Sequence, residues 1–150
     1  MDEIGKEGII DGVILTPLKQ IFNEKGDVFH AMKESEAGYK RFGEAYFSTI
    51  HPGEIKPWKM HTRMTLNLVV PVGEIKFVLY DDREQSPTRG LYNEFVLSRD
   101  HYARLTVPPR VWFAFQGLAG APNLLLNIAD MEHDPEEIVR LELNDLNYRW

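Results

Sequence analysis

The chain contains no cysteine, which removes disulfide frameworks, thiol nucleophiles, Cys-ligated zinc and iron–sulfur clusters in one step. No apolar run reaches membrane-spanning length, and the acidic start at Asp2 and Glu3 offers no basic leader region, so neither a spanning helix nor a secretory leader is expected. Positive charge is scarce. Lys and Arg number 17 against 23 Asp and Glu, a net charge of −6, which gives no overall attraction to nucleic acid or to an anionic membrane. A basic site has to be local. The five histidines, His30, His51, His61, His101 and His133, have no mutual metal-ligand spacing, so a site without metal or cofactor is expected. Sustained helical periodicity is also weak. These absences together predict a cytoplasmic protein that contacts neither nucleic acid nor membrane.

What is present is enough for one core. A chain of 150 residues, 43% of them hydrophobic, suits a single domain over residues 1–150 that buries roughly 68–70% of its unfolded surface. Gly and Pro fall as scattered punctuation, at Gly26, Pro52-Gly53, Gly73, Pro87 and Gly117 to Pro122, with no repeat. Between them lie β-rich runs at Gly12 to Leu18, Val28 to Met32, Ala45 to His51, Pro57 to Val72, Glu74 to Tyr80, Tyr92 to Ser98, Arg104 to Val107, Val111 to Gln116 and Leu124 to Ala129. Short strands at this spacing predict an all-β sandwich or barrel. One or two helical turns are expected near the end, where Asp134 can cap, Pro135 suits the first turn and Glu136 and Glu137 complement the dipole.

The segment from Lys59 to Val69 carries the most chemistry. Read as one strand, it places Lys59, His61, Arg63, Thr65 and Asn67 on one face and Met60, Met64, Leu66 and Leu68, continuing from Trp58, on the other. The polar face either meets solvent or lines a cavity inside a barrel. Where metal-binding barrels gather histidines, this chain has His61-Thr62-Arg63 and later Phe113, and a cation beside the single His disfavours an ion.

The stretch from Asp81 to Gly90, D-D-R-E-Q-S-P-T-R-G, resembles the D-x-R-x-x-S-P-T-x-G turn of the metal-free cupin sugar-nucleotide epimerases typified by dTDP-4-dehydrorhamnose 3,5-epimerase. The His61 strand, Gly73, Leu97-Ser98, Val107-Pro108-Pro109, Asp134 to Glu137 and the closing Trp150 extend the resemblance over roughly residues 12 to 150, as a short and divergent member. The resemblance implies a cupin-like jelly-roll β-barrel, a homodimer, and a nucleotide-linked deoxysugar as partner. The implied reaction is epimerisation of a 4-keto-6-deoxy sugar at carbon 3, carbon 5 or both. Alternatives are 3,4-ketoisomerisation or sugar-nucleotide binding without catalysis.

The implied chemistry needs a base, a donor for the enolate oxygen and an acid on the far face. His61 matches the family's base. Its orienting carboxylate is expected at Asp145, ahead of the closing Trp, or at Asp81; the other reading of Asp81 and Arg83 is a turn pair. Asn67 stands where the family has its keto-contacting Lys, Asn127 near its proton-donating Tyr, and Phe113 at a pocket His. Lys25 to His30 only loosely resembles the family's nucleotide-contacting segment. Lys56, Lys59 and Arg63 are the candidate phosphate cations, and Trp58, Trp112 and Tyr46 either stack on a base or fill core and rim.

Overall fold

The computed structural model describes residues 8–150; the acidic start at Asp2 and Glu3 lies outside them. Two five-stranded antiparallel sheets face one another. The first is built, in spatial order, from β1 (Ile14–Pro17), β9 (Ala103–Val107), β6 (Leu66–Val72), β11 (Asn123–Ala129) and β4 (Glu44–Ile50). The second runs β12 (Ile138–Arg140), β5 (Ile55–His61), β10 (Val111–Gly117), β7 (Glu74–Asp81) and β8 (Tyr92–Ser98). A small ribbon pairs β2 (Gln20–Ile21) with β3 (Val28–Phe29). From β4 to β12 the chain crosses between sheets at nearly every step, which is the jelly-roll form of an all-β cupin fold. Single 3₁₀ turns at Pro135–Glu137 and Leu143–Asp145 are the helical content among the described residues, and no helix there is long and apolar enough to cross a membrane.

Strands β2 and β12 fall outside the β-rich runs; the others arise where those runs placed them, with one correction. The run from Pro57 to Val72 is two strands, because the chain turns at Thr62 to Thr65 and passes from one sheet to the other. The turn resets the alternation of faces. At the end of β5 the odd positions Lys59 and His61 face inward, a register shift against β10 having brought Lys56 to the same side, whereas the inward positions of β6 are the even ones, Leu66, Leu68 and Val70, which join the core between the sheets. The next corner is tighter still. Gly73 alone separates β6 from β7 with φ of 84°, and a Cβ there would meet the Asn123 Oδ1 at 2.5 Å, so both the conformation and the space call for glycine.

The core between the sheets includes Leu66, Leu68, Phe77, Leu79, Leu105, Val111, Phe113 and Leu125. A second cluster lies on the outer face of β5, β7 and β10, where Trp58, Val78, Trp112 and Ala114 are covered by Leu141, Leu146, Tyr148 and Trp150 of the C-terminal segment. Trp58 is 1% exposed and its Nε1 donates to the Leu143 carbonyl at 3.2 Å. Its indole therefore packs under the C-terminal segment, not where a substrate base would stack. Trp112 shares that cluster.

The Asp81 to Gly90 turn is a structural knot. The fully buried Asp81 carboxylate accepts from Arg83 Nε at 2.9 Å, from the hydroxyls of Ser86 at 2.5 Å and Thr88 at 2.6 Å, and from the Arg83 backbone N–H at 3.1 Å. Burial pushes its pKa up, but these donors together hold it far below the usual carboxylate range. Arg83 also donates to the Asp11 carbonyl at 2.6 Å and fastens the chain ahead of β1. Asp81 is thus committed to the turn and is not the partner of His61.

Candidate active site

Between the two sheets opens a cavity of about 290 Å³. One wall comes from β5, β10 and β12 and presents Lys56, Lys59, Phe113, Phe115 and Arg140; the other comes from β4, β6 and β11 and presents Tyr46, Ser48, Leu66, Leu68, Leu125 and Asn127. The arrangement follows from strand pairing. Arg140, Lys59 and Phe113 lie directly opposite one another across β12, β5 and β10, so their side chains share the inner face.

His61 is the next inward residue after Lys59 on β5. Its ring stacks on Phe113 with centroids 6.1 Å apart and planes 16° apart, and it is 6% exposed. Behind it stands Glu137, a residue the sequence reading assigned to a helix N-terminus. The Glu137 carboxylate is buried and accepts a hydrogen bond from His61 Nδ1 through Oε1, while Oε2 accepts the backbone N–H groups of Arg63 at 3.1 Å and Met64 at 3.2 Å. Glu137 thereby closes the corner between β5 and β6 and orients the ring with the same carboxylate.

The protonation pattern follows. Burial pushes the Glu137 pKa up, but the hydrogen bonds from His61 and the two backbone donors outweigh it and leave the group below its ordinary value. Burial pushes His61 below its ordinary value, and nearby Lys59 pushes the same way against the pull of Glu137. A neutral imidazole beside an ionised carboxylate must carry its proton on Nδ1. Nε2 is left with its lone pair and has no hydrogen-bond partner among the described residues. It is not sealed in, since the buried polar side-chain atoms without a partner there are Arg104 Nε and Trp150 Nε1.

Positive charge collects beside this pair. Lys59 and Arg140 are like charges at directly opposed positions, and among the described residues neither forms an ion pair with a carboxylate. Lys59 is pushed below its ordinary pKa by burial first and then by Arg140 and Lys56. Lys56 donates to the Thr49 carbonyl at 2.7 Å and lies over the Phe115 ring. The Glu137 carboxylate pulls Lys59 back the other way, but by less, so these opposed cations, neither of them ion-paired, form a site that an added anion would relieve.

Of the residues singled out from the sequence, Lys56, Lys59, Phe113, Asn127 and Tyr46 line the cavity, and His61 stands beside it, stacked on Phe113. Four others stand apart. Arg63 falls in the corner after β5 and pairs with Asp134 at 2.6 Å, away from the cavity. Asn67 falls on β6, where the alternation is reversed, so it points outward and binds the Thr106 hydroxyl at 2.6 Å and the Gly38 carbonyl at 3.1 Å. Asp145 is exposed and accepts the Glu142 N–H at 2.8 Å within its own turn, so it does not orient His61. Trp58 borders the cavity, but its indole belongs to the outer cluster. Asn127 does line the cavity, with Nδ2 donating to the Tyr46 hydroxyl at 3.0 Å and Oδ1 accepting the Asn67 N–H at 3.3 Å. Glu137 and Arg140 were missed. Among the described residues no group of three or more His, Asp or Glu side chains is placed to hold a metal ion.

No family model matches the chain. Over 111 residues it is 31% identical to the probable low-salt glycan biosynthesis epimerase Agl13 of Haloferax volcanii, covering 71% of each chain. It is 27% identical over 129 residues to the spore coat polysaccharide biosynthesis protein SpsL of Bacillus subtilis, covering 86% of this chain and 85% of that protein. Among solved structures, a dTDP sugar isomerase from Desulfovibrio desulfuricans G20 superposes with a TM-score of 0.88 at 39% identity, over 91% of this chain and 87% of that one. With the jelly roll, the His61 strand and the Asp81 to Gly90 turn, these similarities place the chain in the cupin family of sugar-nucleotide epimerases that resemble dTDP-4-dehydrorhamnose 3,5-epimerase.

Proposed function

We propose that the chain inverts carbon 3, carbon 5 or both of a 4-keto-6-deoxy sugar linked to a nucleoside diphosphate, in deoxysugar or polysaccharide biosynthesis. The observation that carries this reading is the pair of His61 and Glu137, with Nε2 unpartnered among the described residues and the ring one inward position along β5 from Lys59, which lines the cavity with Lys56 and Arg140. His61 Nε2 removes the proton alpha to the ketone. Lys59, the neighbouring inward residue and the more desolvated of the two cavity lysines, meets the enolate oxygen that forms. Lys56 and Arg140, both exposed at the rim, take the diphosphate. Phe113 packs on the sugar side of the base. Positive charge from Lys59 at the developing enolate lets this chemistry proceed on the chain's own residues.

The protein acts in the cytoplasm as a homodimer. Support for a dimer comes from β4, which is the edge of its sheet and carries Phe47 at 65% exposure; light scattering at micromolar concentration should give twice the monomer mass. The catalytic reading is tested by incubating the protein in heavy water with dTDP-, UDP- and GDP-linked 4-keto-6-deoxyhexoses and following the proton spectrum. Loss of the signal at carbon 3 or carbon 5 of one substrate is expected. Tight nucleotide-sugar binding with no exchange on any of them would make the chain a binding protein instead.

A further inference from the structure

Inverting a carbon requires a proton to leave from one face and arrive on the other, so base and acid must stand on facing walls. The cations Lys56, Lys59 and Arg140 line the cavity from the side of β5 and β12, and His61 lies on the same side, one inward position beyond Lys59 on β5. The facing wall offers Tyr46, Ser48, Leu66, Leu68, Leu125 and Asn127. Of these, only the phenol holds a proton that is present at neutral pH and acidic enough to transfer; an alcohol is far too weak an acid, and an amide does not serve.

The local geometry leaves that proton available. Tyr46 and Asn127 are directly opposed across β4 and β11, and Asn127 Nδ2 lies 3.0 Å from the phenolic oxygen. The amide cannot turn over freely, because its Oδ1 accepts the Asn67 N–H. Nδ2 therefore donates, the phenolic oxygen accepts, and the hydroxyl's own hydrogen is not used in that bond. Tyr46 lines the cavity and is 42% exposed, so its hydroxyl is reachable from the ligand space.

We infer that Tyr46 is the catalytic acid that protonates the substrate on the face opposite His61, an assignment that rests on the epimerase reading. His61 Nε2 takes the alpha hydrogen as a proton, and the electron pair of the broken C–H bond becomes the enolate, with its charge on the former keto oxygen. The enolate carbon then takes the proton of the Tyr46 hydroxyl, the O–H pair stays on the phenolate, and the ketone is restored with inverted configuration. Between turnovers the imidazolium releases a proton to water and the phenolate regains one from water. The proton-donating role expected near Asn127 thus passes to the residue directly across the ladder from it.

The test is Tyr46→Phe, which keeps the ring and the β4 ladder, assayed in heavy water with dTDP-4-keto-6-deoxyglucose and its UDP and GDP counterparts. Inverted product should fall by about 100-fold or more, the scale of a lost general acid, while deuterium still enters the substrate with retained configuration. Inversion within threefold of the parental rate would overturn the assignment alone. Loss of exchange together with inversion would also overturn it, since Tyr46 would then serve binding or folding. A parental protein that neither exchanges nor inverts any of the three would overturn the epimerase reading and this assignment together.

Discussion

Replacing Glu137 with glutamine separates the carboxylate's charge from its shape. Two of its acceptor contacts are backbone N–H groups, from Arg63 at 3.1 Å and Met64 at 3.2 Å, which cannot reverse polarity. The substituted side chain would keep its amide oxygen on those donors and so turn its NH₂ toward His61. A donor facing Nδ1 forces that nitrogen to accept, and the imidazole proton moves to Nε2, where the lone pair is needed. Proton abstraction should fall by about 10²- to 10⁴-fold, the worth of a correctly protonated base. Exchanging charge-assisted hydrogen bonds for neutral ones at a site 1% exposed should cost roughly 1–3 kcal/mol of stability, little enough to leave the protein folded. Nucleotide affinity should be unchanged, because Glu137 does not line the cavity. The assay is deuterium uptake into the substrate, with urea unfolding to confirm the fold and calorimetry with dTDP to confirm binding. A folded Glu137→Gln protein that exchanges at the parental rate would show that the carboxylate does not set the tautomer.

Three further outcomes are expected. Lys56→Ala and Arg140→Ala should each weaken dTDP binding by about tenfold, in the range of one charge-assisted hydrogen bond at an exposed rim, and flatten its salt dependence; unchanged calorimetric titrations would place the diphosphate elsewhere. Thermal stability should decline as pH falls. Because His61 titrates below its ordinary 6.5 in the folded state, the unfolded chain binds the extra proton first and stability drops below that pH; Glu137, held below its ordinary 4.5, adds a second loss as pH falls through its folded value, and Glu137→Gln should lack this second limb in melts across pH 7 to 3. Asp81→Ala leaves Arg83, Ser86 and Thr88 without their shared acceptor and should cost about 3–5 kcal/mol in urea unfolding; a loss under about 1 kcal/mol would show that the turn holds without its hub.

The strands were legible in the sequence because alternation and turn residues are local signals, and the Asp81 to Gly90 turn was legible because its acceptor and donors lie within seven residues of one another. The place of His61 on a strand, on the same face as Lys59, was legible from alternation. What escaped was non-local. Glu137 lies 76 residues from His61 and sits in an acidic first turn that has its own local explanation. Arg140 falls on a three-residue strand that no run of β-formers announces, and only its register against Lys59 gives it meaning. Asn67 and Arg63 were misplaced for one reason: parity was carried through a corner where the chain changes sheets. That corner is stitched by Glu137 itself, with the Thr62 N–H on the Glu137 carbonyl at 2.8 Å and two N–H groups on its carboxylate, so the residue that was missed is also the one that broke the pattern.

Deuterium exchange by the unaltered protein and by His61→Asn, run side by side on a 4-keto-6-deoxyhexose nucleotide that the unaltered protein turns over, addresses the base most directly. His61 as the base requires exchange by the unaltered protein, and a loss of about 10²- to 10⁴-fold in His61→Asn with dTDP affinity within a few-fold of the original. Exchange at an undiminished rate in a folded His61→Asn protein would contradict that role and move the base to a different residue.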